Sequence, residues 1–323
     1  MRIAGAVLLV LILLAACAAP WLAPNPPNRR FADLLYAPPT RIHVGDGSPA
    51  PHLHPLRIVS RLERRFDEDR ATHVPLRWFS GGVLVSADPN SGAPLLLLGS
   101  DAFGRDRFSR LLYGSRATLA LGVLATLLAT AVGALVGGVA GYAGGRLDTF
   151  LSRVSEFVVV LPAIYVALAL RAVMPLVLPG STIFVLLLTI FALLGWPMVA
   201  RGVRAIVLVE RDREYAMAAR AAGAGPTRLL TRHLLPAASG YLSTQASLLL
   251  PAFILAESTM SYVGLGFPDN TPTWGTMLQD ASNVALLGDA PWALAPAAAI
   301  FMVVLGVNLL VQSTGHAPVQ LER

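Results

Sequence analysis

The chain has 323 residues, of which 55% are hydrophobic and 14% are charged, and its mean hydropathy is +0.62. Soluble domains carry about 25% charged residues, so this composition excludes an ordinary soluble protein and indicates an integral membrane protein. All 25 basic residues are arginine, which excludes a P-loop for ATP, because that loop needs a lysine to reach the β- and γ-phosphates.

Six stretches are long and apolar enough to cross a bilayer, for which about 20 residues are needed. They predict an all-α polytopic membrane protein with about six transmembrane helices, at residues 3–22, 118–142, 154–174, 181–200, 242–263 and 292–311. Residues 23–116 are polar and predict a small extracytoplasmic insert between helices 1 and 2. The predicted domains are the first helix (1–22), the insert with an entry helix (23–116), a five-helix core (117–311) containing a cytoplasmic loop (201–238), and a cytoplasmic tail (312–323).

The first stretch permits a second interpretation. Residues 14–17 read Leu-Ala-Ala-Cys, which has the form of a bacterial lipobox, so Cys17 could become the acylated first residue of a lipoprotein. The apolar run continues past the cysteine to Leu22, and this favours an ordinary membrane span. As the single cysteine, Cys17 cannot form an internal disulfide.

Two clusters of polar residues in the insert, one of histidines and one of charged residues, are predicted to have no function in binding or catalysis. His43, His52, His54 and His73 lack a metal-protease signature such as H-E-x-x-H, and nearby prolines predict an irregular loop. They are therefore expected to be solvated, and no metal site is predicted. The block at 104–107, Gly-Arg-Asp-Arg, is interpreted as a solvated capping turn rather than a substrate contact, with Asp101 capping a helix that leads into the second span.

The arginines of the short loops predict the orientation of the chain. The loop between the fourth and fifth spans has seven arginines, whereas residues 264–291 have three aspartates and no arginine. The arginine-rich loop and both termini are therefore predicted to be cytoplasmic. Arginines between apolar spans favour contacts with lipid head groups over contacts with nucleic acid. The glycines of residues 133–145 predict close packing between helices.

Residues 214–238 predict two short helices between two spans. Strong helix formers begin at Glu214, Gly223 is typical of a left-handed helix end, and Pro226 is typical of a first helical turn. Pro236 is expected to end the second helix. Such a pair of helices suits either the docking of a cytosolic protein or an amphipathic loop at the membrane interface.

These residues resemble the EAA motif of ATP-binding-cassette importer permeases, which reads Glu-Ala-Ala, three residues, Gly, nine residues, then Ile, any residue and Leu-Pro. Ala218, Ala219, Gly223, Leu235 and Pro236 are in register with it. Met217 and His233 stand where the motif has glutamate and isoleucine, and Glu214, one helical turn earlier, is a possible substitute for the glutamate. Residues 98–122 and 256–280 are similar to the C-type membrane subunits of dipeptide and oligopeptide permeases, whereas the C-terminal tail departs from them.

The resemblance implies an importer of di- or oligopeptides, or similar small solutes, that works by alternating access in the bacterial cytoplasmic membrane. It implies a homologous second permease subunit in a heterodimer, two cytosolic ATPases that bind ATP and Mg, an extracytoplasmic solute-binding protein and surrounding lipid. The chain itself is expected to have no catalytic residue and no cofactor. Contact with the ATPases is expected from Glu214, Tyr215, Ala218, Ala219, Arg220, Gly223, Leu235 and Pro236.

The sequence fits two other functional classes less well. A secondary carrier, independent of ATP, would show internal repeats and ionisable groups near the membrane midplane, and neither is evident. An intramembrane enzyme would need a motif such as G-x-S-x-G or paired ionisable residues inside a span, and the sequence has neither.

Overall fold

The computed structural model describes residues 2–45, 50–60, 63–88, 91–162, 165, 166, 168, 169, 178–282 and 284–312. It divides into two compact units, one formed by residues 1–119 with 261–310 and the other by residues 120–260 with 311–323. The helices are α1 (Arg2–Cys17), α2 (Ala19–Leu22), α3 (Arg107–Ala143), α4 (Gly145–Val160), α5 (Gly180–Glu210), α6 (Glu214–Ala221), α7 (Pro226–Leu229), α8 (Leu235–Ala237), α9 (Ser239–Tyr262), α10 (Trp274–Leu278), α11 (Val284–Asp289) and α12 (Ala295–Gln312). The strands are β1 (Ile42–His43), β2 (His52–Leu53), β3 (Leu56–Ser60), β4 (Arg65–Glu68), β5 (Val74–Ser80) and β6 (Val83–Ala87).

Within the described residues, four helical segments are long and apolar enough to cross a membrane: Arg107–Ala143, Gly180–Glu210, Ser239–Tyr262 and Pro291–Val311. The apolar α1 is shorter. The third predicted span, residues 154–174, begins in α4, but residues 163, 164, 167 and 170–177 lie outside the described part of the chain. Residues 313–323 of the predicted tail also lie outside it.

In the first unit, α1 packs against α12 through two glycines. A Cβ atom at Gly5 would lie 2.7 Å from the carbonyl oxygen of Gly306, and a Cβ atom at Gly306 would lie 2.9 Å from Leu9. Small residues at such a contact allow two membrane helices to approach closely. Cys17 is exposed at the end of α1.

The insert of the first unit is β-structure, so the all-α prediction is too narrow for this part of the chain. An antiparallel sheet has the strand order β1-β2-β5-β6, and β3 pairs with β4 in a second sheet. The small core of the first sheet contains Leu53, Val74, Leu76, Ala87, Ala93 and Leu95.

The prediction that the insert histidines are solvated is wrong for two of them. His52 lies in β2 and is 1% exposed, and His54 is 4% exposed. The flanking prolines suggested an irregular loop, but the chain pairs there with residues far away in sequence, and this pairing buries the two imidazoles.

Ion pairs made by two buried arginines hold the start of α3 to the connection after α9. Arg105 donates to Asp101 (Nε–Oδ2, 2.6 Å) and to both carboxylate oxygens of Asp269 (2.7 and 2.9 Å), and Arg107 donates to Asp280. Arg105 is 4% exposed and Asp101 is 3% exposed, so the prediction of a solvated turn is wrong. Asp269 follows Arg105 by 164 residues, and local sequence does not reveal such a partner. Burial would raise the pKa of the Asp269 carboxyl, but the bonds and charges of the arginines hold that pKa below its ordinary value.

The residue that caps α3 is Asp106 rather than Asp101. One carboxylate oxygen of Asp106 accepts a hydrogen bond from the backbone N–H of Phe108 (3.0 Å), and the other accepts bonds from the side chains of Asn25 (3.0 Å) and Ser109. Asp101 instead accepts from the backbone of a turn that precedes the helix. Asp106 is fully buried, and this burial raises its pKa to about 6, although the three hydrogen bonds oppose the rise.

In the second unit, α3 lies against α5 along a row of glycines. A Cβ atom at Gly133 would lie 2.8 Å from the carbonyl oxygen of Trp196, and one at Gly141 would lie 2.7 Å from that of Arg204. Between them, a Cβ atom at Gly137 would overlap the backbone of Ala200. The glycines recur every four residues and so share one face of α3, as close helix packing requires. This confirms the prediction made from residues 133–145.

Candidate functional site

The residues expected to contact an ATPase lie in the connection between α5 and α9, within the second unit. α5 stays helical to Glu210, beyond the predicted end of the fourth span, so the connection begins at Arg211. The Arg211 guanidinium donates hydrogen bonds to the carbonyl oxygens of Gly141 (2.9 Å) and Tyr142 (3.3 Å). Carbonyl groups at a helix end lack partners within the helix, so Arg211 joins the end of α5 to the end of α3.

The first short helix, α6, ends at Ala221, and Gly223 follows in the left-handed conformation as predicted, with a φ of +83°. The N–H groups of Gly223 and Ala224 donate to the carbonyl oxygens of Arg220 (2.9 Å) and Ala219 (3.0 Å). This pair of bonds is the Schellman motif, which favours glycine because its φ is left-handed. A Cβ atom at Gly223 would meet no atom within 4 Å. The backbone conformation, and not lack of space, therefore requires the glycine.

The second short helix does not end where it was expected to end. Pro226 occupies the first turn of α7, as predicted, but Pro236 lies inside α8, and α9 follows almost at once. Residues Leu230–Leu234, just before α8, form a π-helix. A proline removes one backbone N–H and crowds the carbonyl four residues earlier. The wider π turn accommodates this change, so the chain remains helical up to α9.

The buried side of the connection is fastened to α5. A hydrophobic cluster contains Val199, Val203, Val207, Ala216, Leu229, Leu230, Leu234 and Ala238, with Tyr142, Ala219 and Leu235 packed against it. Leu229 and Leu234 are fully buried, and burial of a leucine contributes about 2 kcal/mol. The two short helices are therefore held on α5 and α3 by apolar contacts.

The opposite side of α6 is exposed. Glu214, Tyr215, Met217 and Ala218 are exposed, whereas Ala219 is half-buried and packs against the cluster. Ala218 therefore lies on the exposed surface, whereas Ala219 lies partly beneath it. The reason is helical geometry: Ala219 follows the buried Ala216 by three residues and shares its face.

Glu214 lies on the same exposed face of α6 as Met217, which stands at the glutamate position of the motif. Met217, at the motif position, is 52% exposed, and Glu214 precedes it by three residues, so both side chains lie on the same face of α6. The Arg220 guanidinium is 5.7 Å from the ring centroid of Tyr142, and the Tyr215 hydroxyl donates to Glu210 (2.8 Å). Both exposed side chains are thus oriented by contacts within the chain.

Sequence reasoning missed three residues that position this surface: Ala216, Tyr142 and Arg211. Ala216 cannot be told from its neighbouring alanines by type, and only the helical phase of α6 identifies it as the buried one. Arg211 comes directly after the last residue of α5, and an arginine at this position often donates hydrogen bonds to carbonyl groups at a helix end. An exposed surface of small residues above a packed base can dock a protein and transmit its displacement to α5 and α3.

A further ion pair joins α4 to α5 in the same unit. The Arg204 guanidinium donates two hydrogen bonds to the Asp148 carboxylate, one of them from Nη2 at 2.6 Å. These bonds lower the pKa of Asp148 below its ordinary value. The α3, α4 and α5 helices are therefore connected close to the loop that carries α6.

Comparisons with known proteins agree with the predicted family. A family model described as the binding-protein-dependent transport system inner membrane component matches residues 132–314. A second model, the N-terminal TM domain of oligopeptide transport permease C, matches residues 1–39, which supports a membrane span at the start of the chain.

Three relatives show how far the similarity extends. The di/tripeptide transport system permease protein DppC of Pseudomonas aeruginosa is 30% identical over 307 residues, which are 95% of this chain and 83% of the relative. The dipeptide transport system permease protein DppC of Bacillus subtilis is 37% identical over 66% of this chain and 64% of the relative. The oligopeptide transport system permease protein OppC of Bacillus subtilis is 34% identical over 66% of this chain and 67% of the relative. The chain therefore belongs to the inner-membrane components of binding-protein-dependent transport systems, as a C-type permease of the peptide ATP-binding-cassette transporters.

Proposed function

We propose that this chain is one of two membrane subunits of an importer that moves di- or oligopeptides, or similar small solutes, across the bacterial cytoplasmic membrane. Family membership supports the importer. The relatives described above are named for dipeptide, di/tripeptide and oligopeptide transport, and these names support a peptide as the solute.

The proposed subunit has six transmembrane helices, with residues 23–116 outside the cell and both termini in the cytoplasm. The four long apolar helices, the apolar α1 and the stretch at 154–174 supply the six spans. The arginines of residues 201–238 and the aspartates of residues 264–291 support this orientation, because arginine-rich short loops stay cytoplasmic.

The proposed partners are a homologous permease in a heterodimer, two cytosolic ATPases, an extracytoplasmic solute-binding protein and membrane lipid. ATP and Mg bind to the ATPases, and this chain supplies neither a catalytic residue nor a cofactor. The lack of lysine supports this division, since a P-loop in this chain would need one.

The exposed face of α6 carries the proposal for coupling. ATP closes the ATPase dimer, and a partner seated on Ala218 and its exposed neighbours moves α6 with it. Since the underside of the connection packs on α5, that displacement reorients the spans between an outward-facing and an inward-facing state. ATP drives transport to the extent that the ATPases bind these two states with different free energies.

A single-cysteine cross-link tests this docking surface. Cys17→Ala removes the only cysteine, and Ala218→Cys then places one on the exposed face for labelling with a photoreactive maleimide. We expect a cross-link to an ATPase subunit in membranes that contain the co-expressed partners, with a yield that changes when vanadate traps the ATPase.

The matched control is Thr149→Cys in the same background, because Thr149 is an exposed residue of α4 in the same unit and is not next to an expected contact. We expect it to cross-link to the ATPase weakly. Equal or stronger cross-linking from Thr149 would contradict docking on α6. If the chain purified without ATPases and transported peptide without ATP, it would instead be a secondary carrier.

A further inference from the structure

We propose that the insert binds a divalent transition-metal ion, of the kind that prefers imidazole ligands, through His52, His54 and His73. The ligand nitrogens of these three side chains all lie within 4.8 Å of one another. Metal binding at this site would be independent of the direction and the cargo of transport.

The pairing of the strands brings the histidines together. His52 and His54 are two residues apart in extended chain, so their side chains share one face. Leu53 pairs with Val74 in the antiparallel ladder of β2 and β5, and the next position along the ladder places His73 beside His54. The ring centroids are 4.7 Å apart for His52 and His73, 5.0 Å for His54 and His73, and 5.2 Å for His52 and His54.

The hydrogen bonds of the two buried histidines fix which ring nitrogen is free to bind a metal. Nδ1 of His52 is 3.1 Å from the carbonyl oxygen of Ala50, and Nδ1 of His54 is 3.0 Å from that of Thr72. A carbonyl oxygen only accepts, so Nδ1 carries the proton in both rings and Nε2 keeps its lone pair. This is how metal-binding histidines are oriented, with the second ring N–H held by a carbonyl.

Burial adds a second, independent observation. Nε2 of His52 is buried without a hydrogen-bond partner, and a buried polar atom without a partner costs about 1–3 kcal/mol. A metal ion would satisfy it. His73 is exposed, so an ion can enter from that side and keep an open position for water.

The neighbouring side chains suit a cation. The ring of His43 lies 4.7 Å from that of His54, and Nε2 of His43 is 3.3 Å from the carboxylate of Glu68. The Glu68 carboxylate therefore contributes a negative charge near the site, separated from it by the ring of His43. A metal about 2.0–2.1 Å from each nitrogen holds the nitrogens about 3.3 Å apart, so the rings need to close by about 1.5 Å at most.

The site would stabilise a short pairing of strands in the insert. β2 and β5 are joined by two registered residue pairs, and one of them places His52 opposite Pro75, which has no N–H to donate to the ladder. Small domains with few core residues often depend on a metal for stability. A metal held by residues before and after this pairing would fasten the two strands together.

The test uses the purified full chain with a tag that contains no histidine, titrated with Zn²⁺ in a calorimeter. We expect one Zn²⁺ per chain, and His73→Gln should weaken binding at least about tenfold. His73 is exposed, so its replacement should leave the fold intact. The matched control is His233→Gln in the connection between α5 and α9, which should bind Zn²⁺ as the parent does.

Hydrogen exchange measured by mass spectrometry locates the effect. With Zn²⁺ bound, peptides that cover β2 and β5 should exchange more slowly, and this protection should be absent in His54→Gln. Equal Zn²⁺ affinity in the parent and in His73→Gln would overturn the proposal, as would Zn²⁺ binding without protection of these strands.

Discussion

Replacing Asp106 by asparagine tests whether burial of this carboxyl controls the pH dependence of stability. Asp106 is fully buried at the start of α3 and accepts hydrogen bonds from Asn25, Phe108 and Ser109. Its pKa is raised from 3.8 to about 6, mainly by burial. The folded protein therefore binds this proton more tightly than the unfolded chain, and the charged carboxylate lowers stability above pH 6.

The size of the effect follows from the two pKa values. Their difference of about 2.2 units corresponds to about 3 kcal/mol lost at neutral pH, at about 1.36 kcal/mol per unit. At pH 4.5 the folded carboxyl is protonated, while the unfolded one is still mostly ionised, and the loss falls to about 1 kcal/mol. Between pH 7.5 and pH 4.5, the parent should therefore gain about 2 kcal/mol relative to Asp106→Asn.

The assay is thermal unfolding of both proteins in detergent across this pH range. Asparagine does not titrate, and its altered hydrogen bonds add a constant offset, so only the slope of the difference with pH is compared. The control is Asp148→Asn, since the pKa of Asp148 is lowered by Arg204. The parent should gain no stability over this control on acidification. Parallel curves for the parent and Asp106→Asn would refute the effect of burial.

Two further substitutions test the positioning of the two polar regions. Gly223→Ala forces a left-handed φ on alanine at a cost of about 1 kcal/mol, and we expect peptide-stimulated ATP hydrolysis by the reconstituted transporter to fall about fivefold. The control Gly225→Ala, at an ordinary φ of −65°, should leave this activity unchanged. Equal activities of the two variants would contradict the role of the cap at Gly223. Arg105→Gln leaves two carboxylates without their closest partner and should lower the free energy of unfolding by about 3 kcal/mol. The control Arg77→Gln, in an exposed pair with Asp88, should lower it by about 1 kcal/mol at most. Similar losses of stability in thermal unfolding would argue against the importance of the ion pairs around Arg105.

The parts of the fold that sequence reasoning predicted are those that local chemistry determines. A span in lipid must satisfy its own backbone hydrogen bonds and so becomes a helix, and α9 lies close to the predicted 242–263. The cap at Gly223 and the start of α7 at Pro226 also depend on a few adjacent residues. The structure places both where the sequence predicts them.

The errors concern residues whose surroundings come from far along the chain. Arg105 was predicted to be solvated from its polar neighbours, and its partner Asp269, 164 residues later, is not revealed by the local sequence. His52 and His54 were predicted to lie in an irregular loop because of the nearby prolines. Their partner strand, β5, begins about twenty residues further on, after a second sheet, and the local sequence does not reveal this pairing. In both regions the residue types suggested polar turns, and only long-range pairing shows that the groups are buried.

The contacts around α5 explain how a small loop could move a span. α5 has 31 residues, a length of about 46 Å, which exceeds the roughly 30 Å of a bilayer core, so a span formed by α5 would project beyond that core. At its end, Arg211 bonds to the last carbonyls of α3, and Leu229 and Leu234 pack on its sides. Along its length, the glycine row of α3 leaves no room between the two backbones.

A displacement of α6 therefore cannot be absorbed within the connection without breaking buried contacts. The lower-energy response is for α3 and α5 to move together.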